Sequence, residues 1–144
     1  MQKKPILFAV DDDADITRAI SLFVSNIGFQ VATFNTPEQY LAKLQNQAPD
    51  ICLIDIMYAN QPHGFELVQK TRAIFKGRVP IIVMSGNTDL YTVTHAIEIG
   101  ANDFVMKPID KDLLISKVSR FMATGDLIEN NDFHWSALRL QKID

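Results

Sequence analysis

Five short apolar runs alternate with segments of helical periodicity along this 144-residue chain. The runs are residues 5–10, 29–34, 51–55, 80–85 and 103–106. Most are apolar throughout, which is typical of strands buried on both faces, as in a parallel sheet covered by helices. Strands and helices in alternation predict a doubly wound α/β fold, because right-handed crossovers place helices on both faces of the sheet.

Five helices are predicted to follow the five strands. The first has apolar residues at three- and four-residue steps from Ile16 to Ile27, with Gly28 as a left-handed cap. The others are predicted at about residues 37–44 after Thr36, 65–75 before Gly77, 88–100, and 111–122 after Asp110 as N-cap. The fourth is rich in Thr, Val and Ile, so its intrinsic helix propensity is weak.

Composition and charge indicate one globular domain without a broad nucleic-acid or membrane surface. A chain of this length that is 47% hydrophobic can bury one good core. Its net charge of −3 does not favour nucleic acid or an anionic membrane. The single Cys52 excludes a disulfide within the chain and is expected in the core. No signal sequence or membrane-spanning run is apparent, so the cytoplasm is the expected location.

Charged and polar residues follow the predicted strands. They are Asp11, Asp12, Asp55, Ser85 and Lys107. In doubly wound sheets, ligands bind beyond the carboxyl ends of the strands, so these side chains are expected in one crevice. Carboxylates about 5 Å apart repel by roughly 3 kcal/mol at an effective dielectric near 20. The cluster therefore calls for a cation, whereas Asp13 and Asp15 are explained by a solvated turn and a helix N-cap.

Over about residues 5–122 the sequence resembles a response-regulator receiver domain of two-component signalling. The resemblance rests on four short motifs, namely Val10-Asp11-Asp12-Asp13, Asp55, Ser85-Gly86, and Phe104-Val105-Met106-Lys107-Pro108. It implies a flavodoxin-like five-stranded parallel sheet of order 2-1-3-4-5 with five helices. Residues 1–122 would form the receiver domain and residues 123–144 a C-terminal tail, or the start of a truncated linker.

The resemblance also implies a phosphorylation chemistry. Asp55 would take a phosphoryl group from a phosphohistidine on a sensor histidine kinase or a histidine phosphotransfer protein. Mg²⁺ would be bound by Asp12, Asp55 and the backbone carbonyl of Met57, with Asp11 acting largely through a coordinated water. Lys107 would pair with the carboxylates before transfer and with the phosphoryl oxygens afterwards. Pro108 matches the family's cis-proline.

The same resemblance implies a conformational switch. Ser85 would hydrogen-bond the phosphoryl group while Phe104 moves inward, shifting the face formed by the fourth helix, fifth strand and fifth helix. That face would control a downstream effector protein or domain. The chain would be no enzyme beyond assisting its own phosphorylation and dephosphorylation. Autodephosphorylation is expected to be slow, because apolar Met57, with Asn87, flanks the access route for water.

The loop after Asp55 departs from the family pattern. The usual Met-Pro is replaced by Tyr58 and Ala59, and the glycine expected at the eighth position is Gly64 at the ninth. One extra residue is therefore inserted, which leaves the path of residues 58–64 open.

The tail is too short for a DNA-binding or effector domain, so no direct nucleic-acid contact is expected. Its aromatic and leucine residues favour docking on the domain or on a second copy, with disorder as the competing view. A homodimer is left open, and His63, His95 and His134 are expected to be surface or packing residues because their spacing fits no metal site.

Two alternative functions are considered. A small haloacid-dehalogenase-like phosphatase would use Asp11 as nucleophile and Asp13 as acid and base, but the chain has no cap insertion and Asp55 would have no role. A receiver-like module that binds partners without phosphorylation is the other alternative. The presence of the full acidic and basic set argues against it.

Overall fold

The computed structural model of the protein describes residues 4–58, 61–86 and 89–123. A single five-stranded parallel sheet has the order β2-β1-β3-β4-β5, as predicted. The strands are β1 (Ile6–Val10), β2 (Gln30–Phe34), β3 (Ile51–Asp55), β4 (Ile81–Ser85) and β5 (Asp103–Met106). Strands β3 and β4 are buried along their whole length, whereas the edge strand β2 is partly exposed.

Five helices cover the sheet. They are α1 (Ala14–Ser25), α2 (Pro37–Leu44), α3 (His63–Phe75), α4 (Leu90–Glu98) and α5 (Lys111–Ala123). Residues 124–144 of the predicted tail lie outside the described residues, so the docking prediction is untested. None of the helices in the described part of the chain is long and apolar enough to cross a membrane.

Polar side chains fix where most helices begin. Asp13, Thr36 and Asp110 accept hydrogen bonds from backbone N–H groups two or three residues later, as expected of N-caps. For α4 this role falls to Asp89, which accepts from Thr92 N at 2.7 Å. The helix therefore begins at Leu90, two residues after the predicted start at residue 88. Gly28 has a φ of +101°, which confirms the left-handed turn after α1.

The predicted end of α3 at residue 75 is confirmed, but its start and the residue that terminates it differ from the prediction. The helix begins at His63, two residues before Phe65, because the apolar periodicity could not include His63 and Gly64. It ends at Phe75, and the left-handed residue is Lys76 with a φ of +57°, not Gly77. The Lys76 N–H donates to the carbonyl of Arg72 at 2.7 Å, which closes the last turn.

Alternate residues of the strands enter two separate cores. Phe8 and Val10 face α2, α3 and α4, while Leu7 and Ala9 face α1 and α5. This arrangement follows from the period of two along a strand. It leaves the carboxyl ends of the strands as the edge where loops and polar side chains meet.

Arg72 on α3 connects three segments of the chain at the edge of the sheet where the amino ends of the strands lie. Its guanidinium donates to the carbonyl of Gly100 at 2.8 Å and to the carbonyl of Val79 at 2.5 Å. It also donates to the side-chain oxygen of Asn102, which accepts the Ile81 N–H at 2.8 Å. The residues that follow α4 are thereby attached both to α3 and to the start of β4.

Candidate functional site

The central pair of acids and one lysine meet at the carboxyl edge of the sheet. Asp11 follows β1, Asp55 is the last residue of β3, and Lys107 follows β5. The Lys107 Nζ lies 2.8 Å from Asp11 Oδ2 and 2.9 Å from Asp55 Oδ1. The parallel register of β1 with β3 brings the two acids side by side, as the sequence predicted.

Burial sets the electrostatics of this cluster. The side chains of Asp11 and Asp55 are almost inaccessible to solvent, whereas that of Lys107 is 21% exposed. Loss of solvation raises the pKa of Asp55 to about 6 and also raises the pKa of Asp11, although the ammonium opposes both shifts. Burial alone would lower the pKa of Lys107, but its hydrogen bonds to the two carboxylates outweigh that effect and raise it.

The oxygen atoms of the cluster fit a hard divalent cation. Asp11, Asp12 and Asp55 each offer a carboxylate oxygen, and these atoms lie within 4.8 Å of one another. Asp55 Oδ2 is buried and has no hydrogen-bond partner among the described residues. A magnesium ion binds oxygen at about 2.1 Å, so two of its ligands are at most about 4.2 Å apart. The cluster is therefore close to the size of one magnesium coordination sphere, and one ammonium does not balance three carboxylates.

Gly64 brings the start of α3 against the end of β3. Its N–H donates to the carbonyl of Ile56 at 2.8 Å, and a Cβ at this position would lie 2.0 Å from the carbonyl oxygen of Asp55. Tyr58 and Gln61 exchange two backbone hydrogen bonds of 2.8 Å, which close the loop before the helix. The start of α3 therefore packs closely against the end of β3 at Gly64.

Two further side chains, which no motif in the sequence marks, support the end of β1. The Tyr58 hydroxyl donates to the carbonyl of Val10 at 3.0 Å. The Asn35 side-chain N–H donates to the carbonyl of Asp11 at 2.9 Å. Neither residue carries a sequence signal for this role, because each bond joins two segments that are distant along the chain.

The proposed switch residues occupy β4 and β5. Ser85 is buried at the end of β4, and its carbonyl accepts the Lys107 N–H at 2.9 Å. Phe104 is half-buried against the core below α3 and α4. The peptide bond between Lys107 and Pro108 is cis. The Met57 side chain is 38% exposed, and Asn87 lies outside the described residues.

A partly buried ion pair lies beside Phe104, and no pattern in the sequence predicts it. Lys117 on α5 approaches Asp103 at 2.9 Å and donates to the carbonyl of Phe104 at 2.8 Å. Its ammonium is also 5.1 Å from the centroid of the Phe104 ring, within the range of a cation–π contact. The position of Phe104 is therefore coupled to a charge on α5.

The phosphatase alternative does not fit this arrangement. Asp13 is exposed and caps α1 by accepting the Asp15 N–H at 2.9 Å, so it serves the helix and does not join the acid cluster. The histidine prediction is met at two positions. His63 is an exposed residue at the start of α3, and His95 packs on Phe65 and Tyr91 at ring distances of 4.6 and 5.6 Å. His134 lies outside the described residues.

Comparison with known proteins decides the family. The family model for the response regulator receiver domain matches residues 7–119. The chain belongs to this family. As a receiver domain of two-component systems, it has the parallel sheet and the strand-end acids that the resemblance implied.

Similar proteins include longer regulators and isolated receiver domains. The transcriptional regulatory protein AfsQ1 of Streptomyces coelicolor is 30% identical over 122 residues, which are 85% of this chain and 53% of that protein. The DNA-binding response regulator MtrA of Mycobacterium tuberculosis is 28% identical over 120 residues, 83% of this chain and 51% of MtrA. The receiver domain thus spans about half the length of these curated relatives.

A solved receiver domain shares the fold over its whole length. The BeF3-activated receiver domain of DrrB, a protein of Thermotoga maritima, aligns with a TM-score of 0.76 and 26% identity. The alignment covers 85% of this chain and all of that one.

Proposed function

We propose that Asp55 accepts a phosphoryl group from the phosphohistidine of a sensor histidine kinase or a histidine phosphotransfer protein, with Mg²⁺ bound beside it. The observation that carries this proposal is the contact of one lysine with two buried acids, one of which has an oxygen with no hydrogen-bond partner among the residues that the structure describes. Membership of the receiver family and similarity to the BeF3-activated receiver domain of DrrB support it.

The residues of the site would divide the work of transfer. Asp12, Asp55 and the carbonyl of Met57 would hold Mg²⁺, with Asp11 bound mainly through water. The ion supplies positive charge that offsets the repulsion between the carboxylates and the incoming phosphoryl group. A carboxylate oxygen of Asp55 forms the new bond to phosphorus while the bond from phosphorus to the imidazole nitrogen breaks, and the imidazole retains the electron pair.

Lys107 has a role on both sides of that step. Before transfer its ammonium favours the ionised form of Asp55, which is the nucleophilic form, against the effect of burial. After transfer it would pair with phosphoryl oxygens instead, because a flexible ammonium with three donors can change partners. The protein would thus assist its own phosphorylation and its own slow dephosphorylation, without turning over a separate substrate.

The output would be a shift of the face formed by α4, β5 and α5. Ser85 would donate a hydrogen bond to the phosphoryl group, and Phe104 would move toward the space that the loop leaves. This face already exposes large apolar side chains: Leu90 and Tyr91 on α4 are 67% and 70% exposed, and Met106 on β5 is 52% exposed. An effector protein or domain is the proposed partner of this surface.

Phosphorylation with a small donor tests the proposal. The full chain is incubated with acetyl phosphate and Mg²⁺, and phosphate is located by mass spectrometry. Wild type should gain one phosphoryl group on Asp55, and Asp55→Asn should gain none. Asp13→Asn is the matched control, because it removes a neighbouring carboxylate and still caps α1; it should be phosphorylated like wild type.

Other outcomes would contradict the proposal in different ways. Absence of phosphate on wild type would favour a module that binds partners without phosphorylation. Hydrolysis of phosphate esters that survives in Asp55→Asn and is lost in Asp13→Asn would favour the phosphatase alternative.

A further inference from the structure

Two loop side chains hold the last carbonyl group of β1 and the first carbonyl group after it, next to the acids of the site. The Tyr58 hydroxyl donates to the carbonyl of Val10 at 3.0 Å, and the Asn35 amide donates to the carbonyl of Asp11 at 2.9 Å. Both loops follow strands adjacent to β1 in the sheet, so the end of β1 is held from its two sides. Asp11 and Asp12 continue the chain from this point.

Tyr58 is well fixed for this task. Only 4% of the residue is exposed, and its ring belongs to the core below α2 and α3. Its backbone is paired with Gln61 in both directions. Burial and, to a smaller extent, the nearby acids raise the pKa of the phenol, so the hydroxyl keeps the proton that it donates to Val10.

Asn35 reaches the same strand end from the β2 side. Its side-chain N–H group also approaches Thr17 Oγ1 at 3.2 Å, so the amide joins the loop after β2 to α1. The Asn35 N–H itself donates to the Gln39 side chain at 3.3 Å. These contacts leave the amide facing the carbonyl of Asp11.

We infer that Tyr58 is a positioning residue for the divalent cation, and that Asn35 supports it from the opposite side. Magnesium requires oxygen ligands at about 2.1 Å in a near-octahedral arrangement, so small displacements of a carboxylate weaken binding. Asp11 and Asp12 are carried by the backbone that Tyr58 and Asn35 fix. This inference rests on the magnesium site of the proposed function and extends it to residues that do not touch the ion.

The test compares two tyrosine hydroxyls. Tyr58→Phe removes the bond to Val10, and Tyr40→Phe is the matched control. Tyr40 is fully buried in the same core, and its hydroxyl bonds to Thr71 at 2.7 Å and Cys52 at 3.3 Å, away from the acids. Mg²⁺ affinity of the metal-free full chain is measured by calorimetry, and stability by urea unfolding without metal.

The two variants should differ in affinity and not in the loss of stability. Each loses a buried hydrogen bond, so both should unfold at lower urea concentration than wild type. Tyr58→Phe should bind Mg²⁺ about tenfold more weakly, the usual effect of removing a group that orients a ligand. Tyr40→Phe should keep wild-type affinity. Unchanged affinity in Tyr58→Phe, or an equal loss in Tyr40→Phe, would overturn the inference.

A second variant keeps the test decisive if Tyr58→Phe does not fold. Asn35 is exposed, so Asn35→Ala should fold. It should also weaken Mg²⁺ binding, and wild-type affinity there would overturn the inference.

Phosphate uptake at saturating Mg²⁺ separates this inference from the proposed function. Uptake by wild type together with unchanged affinity in Tyr58→Phe rejects the positioning role alone. No uptake by wild type together with weakened affinity in Tyr58→Phe rejects the phosphoacceptor role alone.

Discussion

Gly64 donates its backbone N–H to the carbonyl oxygen of Ile56 at 2.8 Å, and this bond joins the first turn of α3 to the end of β3. The two backbones are so close that a Cβ on Gly64 would lie 2.4 Å from the Cα of Ile56. Atoms of the main chain cannot yield as a flexible side chain can. Glycine is therefore required here for space, although its φ is not positive.

Gly64→Ala should accordingly destabilise the protein by about 3 kcal/mol, because overpacking forces backbone shifts. Urea unfolding of the metal-free chain measures the change. Gly77→Ala is the control, since no atom lies within 4 Å of a Cβ built there. The control should change the free energy of unfolding by less than about 0.5 kcal/mol. Similar values for the two variants would contradict the close approach of α3 to β3.

Removing the ammonium of Lys107 should be costly at neutral pH. Lys107→Met leaves Asp11 and Asp55 buried without their counter-charge, and removal of one partner from a buried pair typically costs about 3 kcal/mol. The loss should shrink in acid, where the carboxyl groups take up protons. Lys70→Met is the control, because Lys70 and Glu66 form an exposed pair at 2.9 Å. Such pairs contribute less than about 1 kcal/mol.

Asp55 should make the stability of the metal-free protein depend on pH. Its pKa is raised from 3.8 to about 6 by folding, so between these values the folded chain binds more protons than the unfolded chain. Stability contributed at this residue therefore falls as pH rises through that window and is flat above it. As the pH rises from about 4 to about 6, the free energy of unfolding of wild type should therefore decrease relative to that of Asp55→Asn.

Saturating Mg²⁺ should abolish that fall in stability within the window, because the ion binds the ionised carboxylate and so opposes its protonation in the folded chain. The same titration with and without Mg²⁺ checks this effect. A difference between wild type and Asp55→Asn that stays constant with pH would show that Asp55 is solvated like an ordinary surface acid.

Met57 should govern the lifetime of the phosphorylated state. An apolar side chain cannot hydrogen-bond an attacking water, whereas Met57→Asn supplies a donor and an acceptor and should shorten the lifetime about tenfold or more. Loss of phosphate is followed by mass spectrometry after removal of the donor. Met122→Asn is the control, because Met122 on α5 is equally exposed at 38% and lies outside the site. Equal lifetimes in all three proteins would refute the role of Met57.

The parts of the fold that can be predicted from the sequence are those that depend on the order of residue types within one short segment. Continuous apolar runs gave the strands, and three- and four-residue periodicity gave most helix faces. Because parallel strands end at one edge of the sheet, the sequence predicts that Asp11, Asp55 and Lys107 lie together. The fourth helix begins two residues later than its pattern predicts, because the sequence alone does not distinguish Asp89 from the neighbouring polar residues as the cap.

The parts that could not be predicted depend on contacts between distant segments. The Tyr58 hydroxyl donates to a carbonyl group 48 residues earlier in the chain. Lys117 on α5 pairs with Asp103 on β5. Such bonds depend on distances that no pattern of residue types encodes. Gly64 is apparent in the sequence, but only the coordinates show how closely it approaches the backbone at the end of β3.

Arg72 has a consequence for how α4 can respond to a modified Asp55. Its bonds to Gly100, Val79 and Asn102 hold the chain just after the helix, while Leu90 and Tyr91 at the other end face solvent. A helix that is held at one end can rotate about that end more readily than it can shift as a whole. We therefore expect α4 to rotate about its C-terminal end, with a displacement that grows from Gly100 toward Leu90. A small change near the carboxyl edge of the sheet would then produce its largest displacement in the first turn of α4.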